Sequence, residues 1–252
     1  MNCCFGFKGI GVSAVFLSLF LSLPASAVSV PVLMYHDFVP DDAPCGEYAV
    51  TEAEFRSQLE ALYACGYESV TFGQLIGYAD GENDLPDKPV IITADDGYDG
   101  VIRTAVPVLR EFGMTLSCAV IGSMAGEDDH FALEEIPDCV EIVSHTYDLH
   151  RDYGKVRGVD AADEEELRRD ISRMRLLAEE YPMIGKVLVY PYGAYSDMSE
   201  SILAEEEYRI TVTCDRGTVE AERGQALFRL PRFGVWHGMS GGDLMRVIGD
   251  GA

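Results

Sequence analysis

Positive charge is scarce in this chain: 19 Lys and Arg stand against 43 Asp and Glu over 252 residues, a formal net charge of −24. Such a surface repels phosphates, which argues against nucleic acid or an anionic membrane face as a partner. No C-x-x-C spacing occurs either, so a thiolate zinc site has no support. With Cys3 and Cys4 in the amino-terminal segment, Cys45, Cys65, Cys118, Cys139 and Cys214 remain, an odd set that permits at most two disulfides. Cys118 and Cys214 sit in apolar runs, where a buried free thiol is expected. No cysteine stands beside a histidine, which leaves a thiol-based enzyme with little support. Linkers, repeats and low-complexity stretches are missing, so residues 28–252 are expected to form one domain, and a monomer is expected.

Long apolar runs are confined to the start. Lys8 is the only charge before the run from Gly9 to Leu23, and Ala25-Ser26-Ala27 has the A-x-A form. That layout predicts a secretory signal peptide over residues 1–27, cleaved after Ala27. The run is short for a membrane-spanning helix, an uncleaved anchor being the alternative. Export to the exterior or the cell envelope is the expectation.

Downstream, short apolar runs alternate with amphipathic segments. Strands are predicted at 30–35, 90–93, 115–120, 140–144, 186–190 and 210–213. Thr51-Glu52-Ala53-Glu54 forms a capping box before Phe55, Leu59 and Leu62 at helical spacing. Further helices are predicted at 101–112, 164–180, 199–207 and 243–248, with Leu167, Ile171, Met174 and Leu177 on one face of the 164–180 helix. Segments 80–88 and 122–130 read as surface loops. Near-continuous apolar strands alternating with helices indicate an α/β fold with a parallel sheet covered on both faces. A barrel and a doubly wound sheet both suit that pattern; a distorted (β/α) barrel of about seven parallel strands is expected. In either architecture chemistry belongs at the carboxyl ends of strands.

Those ends carry the informative residues. Ile91-Ile92-Thr93-Ala94-Asp95-Asp96-Gly97-Tyr98 reads as a buried strand closed by two adjacent carboxylates and a glycine. Like charges side by side are costly to bury without a cation or a shared proton, although an isolated Asp-Asp-Gly is more commonly a solvated turn. Of only five histidines, His36, His145 and His150 follow strand ends, and Tyr190-Pro191-Tyr192-Gly193 closes another strand. Two imidazoles and a carboxylate are a common ligand set for a divalent metal with open positions. Neutral imidazole suits Zn2+, while Co2+, Ni2+ and Fe2+ remain compatible.

Together these segments resemble the polysaccharide deacetylase family, the NodB-homology group of carbohydrate esterases. Thr93-Ala94-Asp95-Asp96-Gly97 resembles its T-F-D-D-G motif, with Ala94 in place of Phe, and Ser144-His145-Thr146 resembles its S-H-T motif. His150 lies five residues after His145, one more than the commoner family spacing. That spacing, with Pro31-Val32-Leu33-Met34-Tyr35-His36-Asp37, looks like the branch containing poly-N-acetylglucosamine deacetylases. The resemblance implies that Asp96, His145 and His150 hold the metal, that Asp95 is the general base taking a proton from the attacking water, and that the Tyr192 backbone N–H helps hold the oxyanion. In most of the family the general acid is a histidine in a Leu-x-His motif. Leu230-Pro231-Arg232-Phe233 has arginine there, so the role is assigned to His36, as in the Tyr-His-Asp branch, with His237 as competitor.

Arg232 could pair with Asp95 and orient it, or form a solvent-exposed salt bridge. Tyr35, Tyr147, Tyr192, Tyr195 and Trp236 could form sugar-stacking surfaces, core packing being the alternative for each. His130, within an acidic loop, is expected to be solvated. The run Asp163-Glu164-Glu165-Glu166 opens a helix, where negative charge favours the dipole. The function implied is a secreted, metal-dependent removal of N-acetyl groups from an amino-sugar polysaccharide: poly-N-acetylglucosamine, a chitin-like polymer or a peptidoglycan glycan. O-deacetylation of acetylated xylan and a catalytically silent glycan-binding module are the alternatives.

Overall fold

The structure, a computed structural model, describes residues 27–134 and 136–249. The expected export signal therefore lies outside the described residues apart from Ala27. No helix among them is long and apolar enough to cross a membrane.

In chain order the elements are β1 (Val28–Tyr35), β2 (Asp37–Val39), β3 (Ala49–Thr51), α1 (Glu52–Ala64), β4 (Glu68–Ser69), α2 (Phe72–Asp80) and β5 (Pro89–Ala94). There follow α3 (Val106–Phe112), β6 (Leu116–Val120), β7 (Val140–Ser144), α4 (Glu164–Glu180), β8 (Met183–Val189) and α5 (Asp197–Glu205). The last are β9 (Ile210–Val212), β10 (Thr218–Ala221), β11 (Leu227–Leu230), β12 (Phe233–Gly234) and α6 (Gly241–Val247). The sheet runs β10-β1-β5-β6-β7-β8-β9-β11, with β12 also beside β1 and β4 beside β5. The seven strands from β1 to β11 along that path pair in parallel, and β10 is antiparallel to β1. The result is a nearly closed barrel rather than a doubly wound sheet.

Alternation within single strands explains the layering. Val30, Val32 and Ile91 join Val143, Val187, Val189, Ile210 and Val212 in one cluster, against which α2 packs Phe72 and Leu75. Leu33, Ile92, Leu116 and Ile142 belong to another, with Phe55, Leu59 and Leu62 of α1 and Leu109 of α3. Both sheet faces are thus covered, which is why β5 and β6 are buried at every position.

Several expectations are corrected. The segment expected as one helix over 101–112 opens with a π-helical turn at Val101–Ala105 before α3. Pro107 has no N–H to donate back along the helix, and a widened turn accommodates that loss. Helix α2, with its own Thr71–Gln74 capping box, had no counterpart among the predicted helices. Capping boxes at Ser196 and Ser240 start α5 and α6 two residues before the apolar spacing suggests. Cys214 is free but exposed rather than buried. His130 is buried rather than solvated, its ring 4.8 Å from that of Tyr98, to which its backbone is bridged.

Candidate metal centre and catalytic cleft

Strand β5 delivers two neighbouring carboxylates in opposite directions. The Asp95 N–H donates to Tyr35 O at 3.0 Å, continuing the ladder. Asp96 then adopts a left-handed backbone with φ 74°, followed by Gly97 at φ 96°. Aspartate tolerates this conformation better than most residues. The reversal sends Asp95 toward Arg232 and Asp96 toward the end of β7.

At that end, Asp96 Oδ1 lies 3.4 Å from His145 Nε2 and 3.3 Å from His150 Nε2. One donor atom from each of the three lies within 4.8 Å of the others. The His145 Nδ1–H donates to Val189 O at 2.8 Å, which leaves Nε2 with its lone pair facing Asp96. Burial pushes the His145 pKa down despite Asp95 and Asp96 nearby, so the imidazole is held neutral, as ligation requires. His150 turns Nδ1 to Tyr192 Oη at 3.1 Å. Asp96 Oδ1, in turn, is buried without a hydrogen-bond partner. The His145 lone pair, the His150 Nε2 atom and an orphaned carboxylate oxygen converging on one point fit a divalent cation with open positions.

Asp95 is held by a different partner. Arg232 Nη1 donates to Oδ1 at 2.7 Å and Nη2 to Oδ2 at 2.8 Å, while its Nε donates to Thr213 O at 2.9 Å. Burial alone would raise the Asp95 pKa. The charge and hydrogen bonds of Arg232 outweigh it, and with His145 and His36 nearby they hold the carboxyl well below its usual range.

These groups open into a cleft of about 810 Å³. His36, Asp95, Asp96, His145, His150 and Tyr192 line it, and Arg232 lies buried beneath Asp95. Tyr192 has φ 59° and Thr146 φ 72°, so left-handed non-glycine residues occur at three of the strand exits that build the site. His237 is turned away, its Nδ1 3.1 Å from Glu54 Oε1 and 3.3 Å from Cys45 Sγ. Of the aromatic candidates, Tyr192 and Trp236 line the cleft. Tyr35 is buried with its hydroxyl on Gln58, Tyr147 lies under Arg173, and Tyr195 stacks on Tyr190.

A family model described as polysaccharide deacetylase matches residues 82–211, the stretch that supplies Asp95, Asp96, His145, His150 and Tyr192. The chain belongs to the polysaccharide deacetylase family. A poly-beta-1,6-N-acetyl-D-glucosamine N-deacetylase of Staphylococcus epidermidis is 26% identical over 200 residues, covering 73% of this chain and 67% of that protein. Among solved structures, IcaB from Ammonifex degensii superposes with a TM-score of 0.68 at 26% identity, covering 83% of this chain and 93% of the other. Streptococcus pyogenes deacetylase PplD, in complex with acetate, gives a TM-score of 0.75 at 21% identity, covering 88% and 99%.

His36 and Arg232 fall outside the matched span, so their place in the site comes from the barrel, which sets β1 beside β5 and sets β12, directly after Arg232, beside β1. Sequence reasoning gave no cleft role to several further lining residues, among them Tyr48, Tyr98, Arg157 and Cys214. Tyr98 had a signal, since it directly follows Asp95-Asp96-Gly97. Burial, with Asp96, Asp129 and Asp37 close by, pushes its phenol up to about 12, so it stays protonated and able to donate to Asp96. Tyr48 and Arg157 sit in loops, where no periodicity announces them.

Proposed function

We propose that this deacetylase removes N-acetyl groups from an amino-sugar polysaccharide, with a divalent metal held by Asp96, His145 and His150. The observation that carries the reading is the division of labour between adjacent carboxylates, one facing two imidazoles and the other locked on Arg232. A divalent cation in this donor set, Zn2+ being the best match to imidazole, would lower the pKa of water and polarise the acetyl carbonyl.

Around that chemistry the chain's own groups act in sequence. Asp95, ionised and oriented by Arg232, accepts the proton of the attacking water. The Tyr192 N–H, on a backbone fixed by Pro191 and a left-handed φ, donates to the oxyanion as charge develops. His36 protonates the departing nitrogen, which an amine needs before it can leave. Acetate and a free amino group on the polymer result. The named activity of the Staphylococcus epidermidis relative supports an N-acetylglucosamine polymer. Residues 28–252 are proposed as the catalytic domain and residues 1–27 as an export signal, which would place the enzyme where such polymers lie.

Acetate release from N-acetylglucosamine oligomers by the Zn2+-loaded protein tests the proposal, with Asp95→Asn alongside. No release by the loaded wild type, or equal release by Asp95→Asn, would sink it. Release from acetylated xylan but not from the oligomers would move the activity to O-deacetylation.

A further inference from the structure

Between His145 and His150 the chain has four residues in which to reverse and return a second imidazole toward Asp96. Part of that turn is tied to strand β6 and part within itself. His145 N–H donates to Val120 O of β6 at 2.9 Å, Thr146 N–H to Ser144 Oγ at 3.1 Å, and Leu149 N–H to Thr146 Oγ1 at 3.1 Å. The two central N–H groups find their acceptor on another element. Tyr147 N–H donates to Asp170 Oδ1 and Asp148 N–H to Asp170 Oδ2, each at 2.8 Å.

Asp170 stands on helix α4 in the buried stripe formed by Leu167, Ile171 and Met174. It is 6% exposed, and burial pushes its pKa up even though the two N–H groups favour the anion. For packing alone an apolar residue would serve this position better, because a buried carboxylate is costly to desolvate. Its two oxygens match the spacing of two successive amides, and the segment they clamp is the one that separates the histidines.

We propose that Asp170 is a positioning residue for the metal centre: it fixes the turn so that His150 arrives preorganised beside Asp96 and His145. The inference rests on the metal reading above. Its amide-clamping geometry accommodates the longer histidine spacing, with Thr146 in the left-handed region absorbing the reversal. Asparagine at 170 would set an NH2 group against one of the two N–H donors, releasing half of the clamp.

The test is Zn2+ affinity of the full-length protein, read by competition with a chromophoric chelator. Asp170→Asn is expected to bind Zn2+ about tenfold more weakly or worse, and its acetate release should recover as Zn2+ is raised to saturation. Glu165→Gln, which removes one charge from an exposed position of the same helix, should bind Zn2+ as the wild type does. Wild-type affinity in Asp170→Asn, whatever its melting temperature, would overturn the inference. A second measurement needs no variant. In Zn2+-free wild type the amides of Tyr147 and Asp148 should be protected from hydrogen exchange, and exchange at the rate of exposed loop amides would equally overturn it. A wild type that takes up no Zn2+ would remove the metal reading itself, whereas equal affinity in wild type and variant removes only the role of Asp170.

Discussion

Arg232 and Asp95 are paired through two parallel hydrogen bonds of 2.7 and 2.8 Å, with both side chains almost fully buried. The guanidinium is further committed to Thr93 Oγ1 at 3.1 Å and to Thr213 O. A planar fork in a fixed cage leaves the carboxylate one orientation, which is what a base acting on a single water requires. That orientation is set from the segment after β11, far along the chain from the motif it serves.

Removing the arginine alone should therefore be severe. Arg232→Met leaves a buried carboxylate without its cation, and breaking such a pair typically costs about 3–5 kcal/mol. The pH dependence gives the mechanism away. In the wild type the Asp95 pKa is depressed, so the pair stabilises fully above the unfolded-state value of about 3.9 and loses its effect as pH falls toward the folded value. In Arg232→Met burial raises that pKa instead, and protonation then favours the folded state. Urea unfolding at neutral and acid pH should show the gap between the two proteins narrowing on acidification; a constant gap would assign the loss to packing. Arg232→Lys, which cannot form the fork, should recover only part of the stability.

On the proposed assignment of roles, Asp95→Asn separates the base from the metal. The variant keeps Asp96, His145 and His150, so its zinc content should match the wild type by elemental analysis. Its kcat for acetate release should fall by roughly 10²–10⁴, the usual worth of a positioned general base. Zinc lost in parallel with activity would mean that Asp95 is itself a ligand.

The two histidines should behave differently when the metal is absent. His145 is buried and its Nδ1–H satisfies Val189 O, whereas His150 stands at the cleft mouth against Tyr192. Both alanine variants are expected to lose zinc. In metal-free protein His145→Ala should also lower stability by about 1–3 kcal/mol, because a buried carbonyl is left unpaired, while His150→Ala should stay within about 0.5 kcal/mol. Chemical denaturation of the stripped proteins checks this, and equal effects would contradict the asymmetry of the site.

What could be read from the chain, and what could not, follows from where each signal is stored. The barrel strands were legible because β5, β6 and β9 are mostly apolar and buried at every position, with only Thr93, Ser117 and Thr211 as polar members, a pattern that burial on both faces imposes locally. The strand-end residues His36, Asp95, Asp96, His145, His150 and Tyr192 were legible for the same reason. Short β2, β3, β10 and β12 were not, since two to four residues carry no period and owe their pairing to neighbours distant in sequence. Cys214 and His130 were misjudged because exposure depends on those same neighbours: the chain leaves β9 into the cleft at Cys214, and the Tyr98 ring covers His130. Asp170 did leave a trace, as a carboxylate at i+3 from Leu167 on an otherwise apolar helix face. Only the structure shows that it reaches the histidine turn.

Trp236 offers the sharpest test of a polymeric substrate. The benzo edge of its indole lies on Gly234, where any Cβ would run into the ring, so glycine at that position is what lets the ring approach the strand so closely. The ring is 40% exposed and lines the cleft with Tyr48 and Tyr192, a polar-edged apolar face of the kind that stacks on a sugar. Trp236→Ala should raise KM for N-acetylglucosamine oligomers by roughly fivefold to tenfold, corresponding to about 1–1.5 kcal/mol of lost aromatic contact, with kcat largely kept because no reacting atom is touched. Gly234→Ala should reproduce part of that rise by displacing the indole without removing it. Steady-state kinetics on oligomers of increasing length reads both effects, and they should grow with length until the chain reaches past the ring. An unchanged KM in both variants would mean that the polymer does not cross this face of the cleft.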